Sequence, residues 1–241
     1  MLQWIRSITF VVLATVYMPV VGLIYAPWAM FSKRGAYAGC KAYARGTMWM
    51  AEKIVGMRCE VRGVVPEGAV LVAAKHQSFL DILMIFNALP VAKFIMKKEI
   101  LWTPVIGLYA KRMEMVAVNR GKRGAAISKM LADVKAGDAE PGQLVIYSQG
   151  TRVAPGLSMP YKTGTAALYE QMGQVCVPVA TNAGYFWPRR GFYRRPGVAV
   201  VAFLEPIPPG LGRAEFMKKL ENVVETRSDA LLDEAGFRTA Q

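Results

Sequence analysis

The chain has 241 residues, 54% of them apolar, and 30 Lys+Arg against 17 Asp+Glu give a net charge of +13. A mean hydropathy of +0.25 is too apolar for an ordinary soluble enzyme, and the charge is too dense for a polytopic membrane protein, so a globular domain attached to a membrane is expected. One histidine and three scattered cysteines in no CxxC arrangement leave no zinc site of the usual Cys/His type, and no metal is expected.

The odd, sparse cysteines (Cys40, Cys59, Cys176) suit a reducing compartment and read as small buried or half-buried thiols. The basic field favours anionic partners. Nucleic acid is not expected among them, because neither a recognition helix nor aromatics interleaved with basic residues on a sheet can be found.

At the N-terminus no charged residue lies between Arg6 and Lys33. Roughly 20 apolar residues suffice to cross a bilayer. A signal peptide would have a shorter core, about 7–15 residues, ending in small residues at a cleavage site. This run is long and carries Phe10, Tyr17, Tyr25, Trp28 and Phe31, so a retained membrane segment is expected. Pro19 and Pro27 each remove a backbone donor, and a kinked or re-entrant segment in one leaflet therefore stands beside a full span. Arg6 precedes the run whereas Lys33, Arg34, Lys41 and Arg45 follow it, which puts the rest of the chain in the cytoplasm, at the inner membrane, if the segment spans. Residues 35–57 read as an amphipathic helix, placed either at the membrane interface or against the main domain.

Beyond Gly56, short apolar runs at 59–63, 69–74, 92–96, 115–118, 143–148, 176–181 and 197–204 read as strands. Stretches at 79–88, 104–112, 122–136, 163–173 and 213–234 read as helices. The expected fold class is therefore α/β, a mixed, largely parallel sheet covered by helices. Residues 1–57 form a membrane-associated helical element ahead of it, and residues 58–241 form the α/β domain.

Two stretches carry chemistry. In the first, KHQSFLD (75–81), Ser78 and Asp81 fit a capping box ahead of an apolar run. The cap leaves His76 unexplained. It sits between a strand and a helix start, where α/β sheets place ligands, and a carboxylate one turn on can fix its tautomer. No G-x-S-x-G elbow, P-loop or GxGxxG accompanies it, so the hydroxyl to be activated comes from the substrate. The second stretch, YSQGTRVAPGLSMPYKTG (147–164), ends a strand in a turn with Gly150, Thr151 and Arg152, followed by Lys162. Glycine, hydroxyl and cations in that order suit an anion such as phosphate, and also suit a solvated surface loop.

In order along the chain these blocks resemble the glycerolipid acyltransferases. His76 to Asp81 matches H-x4-D, Val118-Asn119-Arg120 a strand ending in a small polar residue and arginine, and Tyr147 to Arg152 the pattern F-P-E-G-T-R. Lys162-Thr163-Gly164 matches K-x-G, and Val177-Pro178-Val179 the apolar proline block. Lys75, Ser148 and Gln149 depart from the pattern, at positions usually Asn, Pro and Glu.

The resemblance implies transfer of an acyl group from an acyl thioester to the sn-2 hydroxyl of 1-acyl-glycerol-3-phosphate. His76 and Asp81 would be the catalytic pair. Arg120, Gln149, Gly150, Thr151, Arg152 and Lys162 would bind substrate, with Gln149 a binding position and not a catalytic one. No cofactor stays bound; acyl-CoA or acyl carrier protein brings the acyl group, and the partners are membrane lipids and lysophosphatidate. Two other readings stay open: acylation of another lyso-lipid such as a lyso-ornithine lipid, and a non-catalytic basic membrane adaptor that retains the fold.

Overall fold

The computed structural model describes residues 1–118, 128, 132 and 141–237. Its first element, α1 (Leu2–Phe31), continues unbroken through Pro19 and Pro27. Ser32 is extended, and the chain reverses directly into α2 (Lys33–Met50), a π-helical turn (Ala51–Val55) and Gly56 in the left-handed region. The two helices lie antiparallel, with glycines of α2 facing aromatics of α1. A Cβ at Gly35 would sit 2.7 Å from the Trp28 carbonyl carbon, so only glycine lets the backbones approach there.

One side of α1 is apolar and exposed: Ile8, Val12, Val16, Leu23, Ile24 and Phe31. The helix is long and apolar enough to cross a membrane. So continuous an apolar face exceeds what a soluble monomer leaves open. The inner side (Phe10, Ala14, Ala29) joins the same core as Ala36, Ala51, Val72, Leu80 and Ile85. The hairpin is therefore packed on the α/β domain while presenting an apolar flank.

The strands are β1 (Met57–Arg62), β2 (Leu71–Ala74), β3 (Ala92–Lys97), β4 (Val116–Val118), β5 (Gln143–Tyr147), β6 (Cys176–Thr181) and β7 (Gly197–Phe203). They form one seven-stranded sheet in the order β1-β7-β6-β2-β5-β3-β4. Pairing is parallel throughout except between β6 and β7. The helices packed around it are α3 (Phe79–Ala88), α4 (Ile106–Arg112), α5 (Gly164–Met172), the short α6 (Ala183–Phe186) and α7 (Arg213–Glu234). Side chains alternate along β2: Val72 and Ala74 face α3 and the hairpin, whereas Leu71 and Ala73 face Phe216, Leu220 and Val224 of α7.

The expected α/β class, largely parallel sheet and N-terminal apolar helix are observed. Each expected strand is present, and the helices at 79–88 and 213–234 have the expected bounds. The expected helix at 122–136 lies almost wholly outside the described residues. Lys98–Trp102 form a 3-10 turn that periodicity did not reveal, and α4 starts at Ile106, two residues after Pro104. Tyr109 of α4 donates to the Gly22 carbonyl at 2.7 Å, and Arg112 Nε donates to the Ala29 carbonyl at 3.0 Å, near the end of α1 where carbonyls lack helical donors.

Candidate active site

The central strand β2 ends at Ala74, and the next residues turn across the C-terminal edge of the sheet. Ser78 is extended and caps α3: its Oγ accepts from the Leu80 amide at 3.0 Å and donates to the Trp187 carbonyl at 2.6 Å. Asp81, fully buried, serves three donors. Its Oδ2 accepts from the amides of Gln77 (2.8 Å) and Ser78 (2.6 Å), and its Oδ1 lies 2.8 Å from His76 Nδ1. An acceptor-only carboxylate places the ring proton on Nδ1, which leaves Nε2 with its lone pair free. His76 is 13% exposed, so the pair opens to the surface on the histidine side alone. The structure thus brings together the expected pair, and the cap and the dyad are one device.

The Tyr147 ring stacks on the His76 ring at 3.9 Å, and its hydroxyl is buried. Burial, and then the nearby Asp81 carboxylate, push this phenol well above its ordinary range and keep it neutral. Tyr147 stood in the quoted block, yet nothing in the sequence gave it a partner.

Beyond β5 the chain turns tightly. Gly150, at φ +70, occupies a conformation that favours glycine, and its amide donates to the Tyr147 carbonyl at 2.8 Å. Three further backbone bonds tie this turn to its neighbours: the Ser148 amide donates to Ala74, Val153 to His76 (2.8 Å) and Lys162 to Ser148 (2.8 Å). Arg152 is half-buried and Lys162 exposed, and neither has a carboxylate partner among the described residues. Thr151 is half-buried in the same turn. Gln149 points inward. Its side chain is buried, and Nε2 donates to the Met159 carbonyl at 3.2 Å, so it braces the loop. Arg120 lies outside the described residues.

Two connections come from residues far apart in sequence. Lys75, on the opposite face of the sheet from His76, is 2% exposed and bonded to Glu225 of α7, whose other oxygen accepts from Tyr161 at 2.8 Å. Arg189 Nη1 donates to the Arg152 carbonyl at 3.4 Å. Neither could be anticipated from spacing. The three cysteines are unbonded, and burial holds each thiol up at about 12, so none is a ready nucleophile. Among the described residues no three His, Cys, Asp or Glu side chains cluster in a way that could hold a metal ion.

A histidine oriented by aspartate at the mouth of a strand suits acyl transfer to a substrate hydroxyl. Residues 57–182 match the family model described as Acyltransferase, which covers more than half of the chain and contains His76, Asp81 and the 147–164 turn. The chain belongs to the acyltransferase family.

This acyltransferase is 27% identical over 207 residues to the 1-acyl-sn-glycerol-3-phosphate acyltransferase of Pseudomonas aeruginosa, covering 83% of this chain and 79% of that protein. To the alpha form of that enzyme from Mus musculus it is 28% identical over 163 residues, covering 65% of this chain and 57% of the mouse protein. Its fold is similar to the crystal structure of the 1-acyl-sn-glycerophosphate (LPA) acyltransferase PlsC from Thermotoga maritima, with a TM-score of 0.77, 20% identity and coverage of 98% and 97% of the two chains. Family membership disfavours a non-catalytic adaptor, and Gln149, which with Ser148 departs from the family pattern, has a structural task of its own. With its apolar flank the acyltransferase is membrane-associated.

Proposed function

We propose that the enzyme transfers an acyl group from a thioester of coenzyme A or acyl carrier protein to the sn-2 hydroxyl of 1-acyl-glycerol-3-phosphate, giving phosphatidic acid. The observation that carries this reading is the His76–Asp81 pair at the mouth of β2, bonded through the His76 carbonyl to the turn that holds Arg152. The names of the relatives in bacteria and mammals support the choice of acceptor.

The substrate hydroxyl oxygen bonds to the thioester carbonyl carbon while its proton moves to His76 Nε2. Asp81 holds the ring and stabilises the imidazolium that forms. The tetrahedral intermediate then collapses by breaking the C–S bond, and the leaving sulfur takes the proton from His76 and departs as a thiol. No acyl-enzyme is needed. Arg152, with Arg120 and Lys162, binds the acceptor phosphate, while Gly150 lets it approach the backbone and the Thr151 hydroxyl donates to it. The chain lies at the cytoplasmic leaflet, where acceptor and product reside and α1 holds the site at the lipid surface.

The test is full-length protein in detergent, with labelled acyl-CoA and acyl carrier protein donors offered to lysophosphatidate, a lyso-ornithine lipid and monoacylglycerol. Phosphatidic acid is expected as the main product. His76→Ala is expected to lower kcat by about 10²–10⁴ while the protein stays folded and membrane-bound. A variant that keeps most of its turnover would remove His76 from the mechanism.

A further inference from the structure

Arginines 189, 190, 194 and 195 crowd the loop between α6 and β7, and the site described so far uses none of them. They are not equivalent. Arg194 is 6% exposed; its guanidinium stacks on Trp187 at 4.8 Å and donates to the carbonyls of Gly191 (3.0 Å) and Tyr193 (3.1 Å), so it staples the loop from within. Arg195 lies over the Tyr185 ring and donates to the Tyr185 carbonyl at 2.9 Å. Arg189 is exposed and reaches the other way, to the carbonyl of Arg152. Arg189 therefore reaches the backbone of the turn that carries Arg152, and among the described residues no carboxylate pairs with either.

The loop is also fixed to the membrane helix. The Arg194 amide donates to Ser7 Oγ at 2.9 Å, Gln3 Nε2 donates to the Arg194 carbonyl at 2.9 Å, and Trp4 packs on Tyr193 with ring centroids 5.1 Å apart. The loop that carries Arg189 is thus joined to the first turns of α1 on one side and, through Arg189 itself, to the turn that carries Arg152 on the other.

We propose that Arg189 is a further phosphate-binding arginine beside Arg152, and that it joins Arg152 on the phosphate monoester of the acceptor lipid. The inference rests on the acyl-transfer reading above. Two forked guanidinium groups on one dianion give directional, charge-assisted bonds that a single arginine cannot supply. The loop's attachment to α1 favours a phosphate carried by a membrane lipid over the phosphates of a soluble donor.

The test compares wild type, Arg189→Ala, Arg189→Lys and Arg190→Ala, all full-length in detergent. For Arg189→Ala the KM for lysophosphatidate rises about ten-fold, kcat stays within about two-fold, and the KM for the acyl donor does not move. Arg189→Lys recovers part of the loss, and Arg190→Ala behaves as wild type. An unchanged lysophosphatidate KM, or a rise confined to the donor KM, overturns the inference. If wild type itself fails to acylate lysophosphatidate, the acyl-transfer reading is what has failed, and equilibrium binding then decides Arg189. Weaker binding of lysophosphatidate but not of monoacylglycerol by Arg189→Ala upholds it; equal weakening of both, or none, overturns it.

Discussion

The amide of Gln149 donates to the Met159 carbonyl inside the loop that carries Arg152 and Lys162, and a carboxylate of the same shape would set two acceptors against each other. Burial makes that opposition expensive, because neither oxygen can turn to water. Gln149→Glu is therefore expected to lose about 1–3 kcal/mol, which lowers the thermal midpoint by roughly 2–12 °C for a chain of this size. It should also raise the KM for lysophosphatidate several-fold as the loop relaxes. Midpoint by calorimetry and KM on the same sample check this, and a Gln149→Glu variant that gains activity would refute the bracing role. His76 and Asp81 were legible in the sequence because one short segment holds the base, its orienter and the cap. Tyr147 beneath the imidazole and Glu225 beside Lys75 were not, since the latter pair is 150 residues apart and meets only through the order of strands. Residue-level inference stops where a partner arrives from another element.

At the scale of elements, α3 shows why one helix start can be both structural and functional. Ser78 satisfies the first-turn amide of Leu80, and Asp81 closes the box on the Ser78 amide. The same serine reaches across to Trp187, so the helix that presents Asp81 is tied to the segment before the arginine-rich loop. Ser78→Ala removes the cap and leaves a carbonyl unpaired, a loss of about 1–2 kcal/mol, or roughly 2–8 °C in thermal midpoint. Because Asp81 then loses a fixed register against His76, kcat should fall more than the KM for lysophosphatidate rises. Ser78→Thr keeps the hydroxyl and should recover most of both; an alanine variant with an unchanged kcat would show that the cap does not position the dyad. Caps and 3.6-residue periodicity made α3 and α7 readable with correct bounds. The strand order and the reversal of β7 against β6 left no such mark, because sheet pairing is decided by which apolar runs find each other in three dimensions.

Across the whole molecule, the sheet is buried on both faces, and several titratable groups have been carried inside uncharged. Cys176 is fully buried at the start of β6, and burial raises its thiol to about 12. The Tyr147 phenol at the end of β5 and the Tyr161 phenol in the loop that follows are likewise raised, first by burial and then by Asp81 and Glu225 respectively. In the unfolded chain such groups release their protons near about 8.5 for a thiol and about 10 for a phenol. The folded chain therefore holds more protons than the unfolded chain above those values, and stability must fall as pH rises. The contribution is complete below about pH 8.5 and is lost progressively toward pH 12. Thermal midpoints of the detergent-solubilised enzyme should accordingly be insensitive to these groups through the neutral range and decline from about pH 9 upward. Cys176→Ala tests the origin of the decline: it should lower the neutral midpoint slightly through lost packing, yet flatten the descent between about pH 9 and pH 12. A descent as steep as that of wild type would mean that the buried thiol is not among the groups that drive alkaline unfolding.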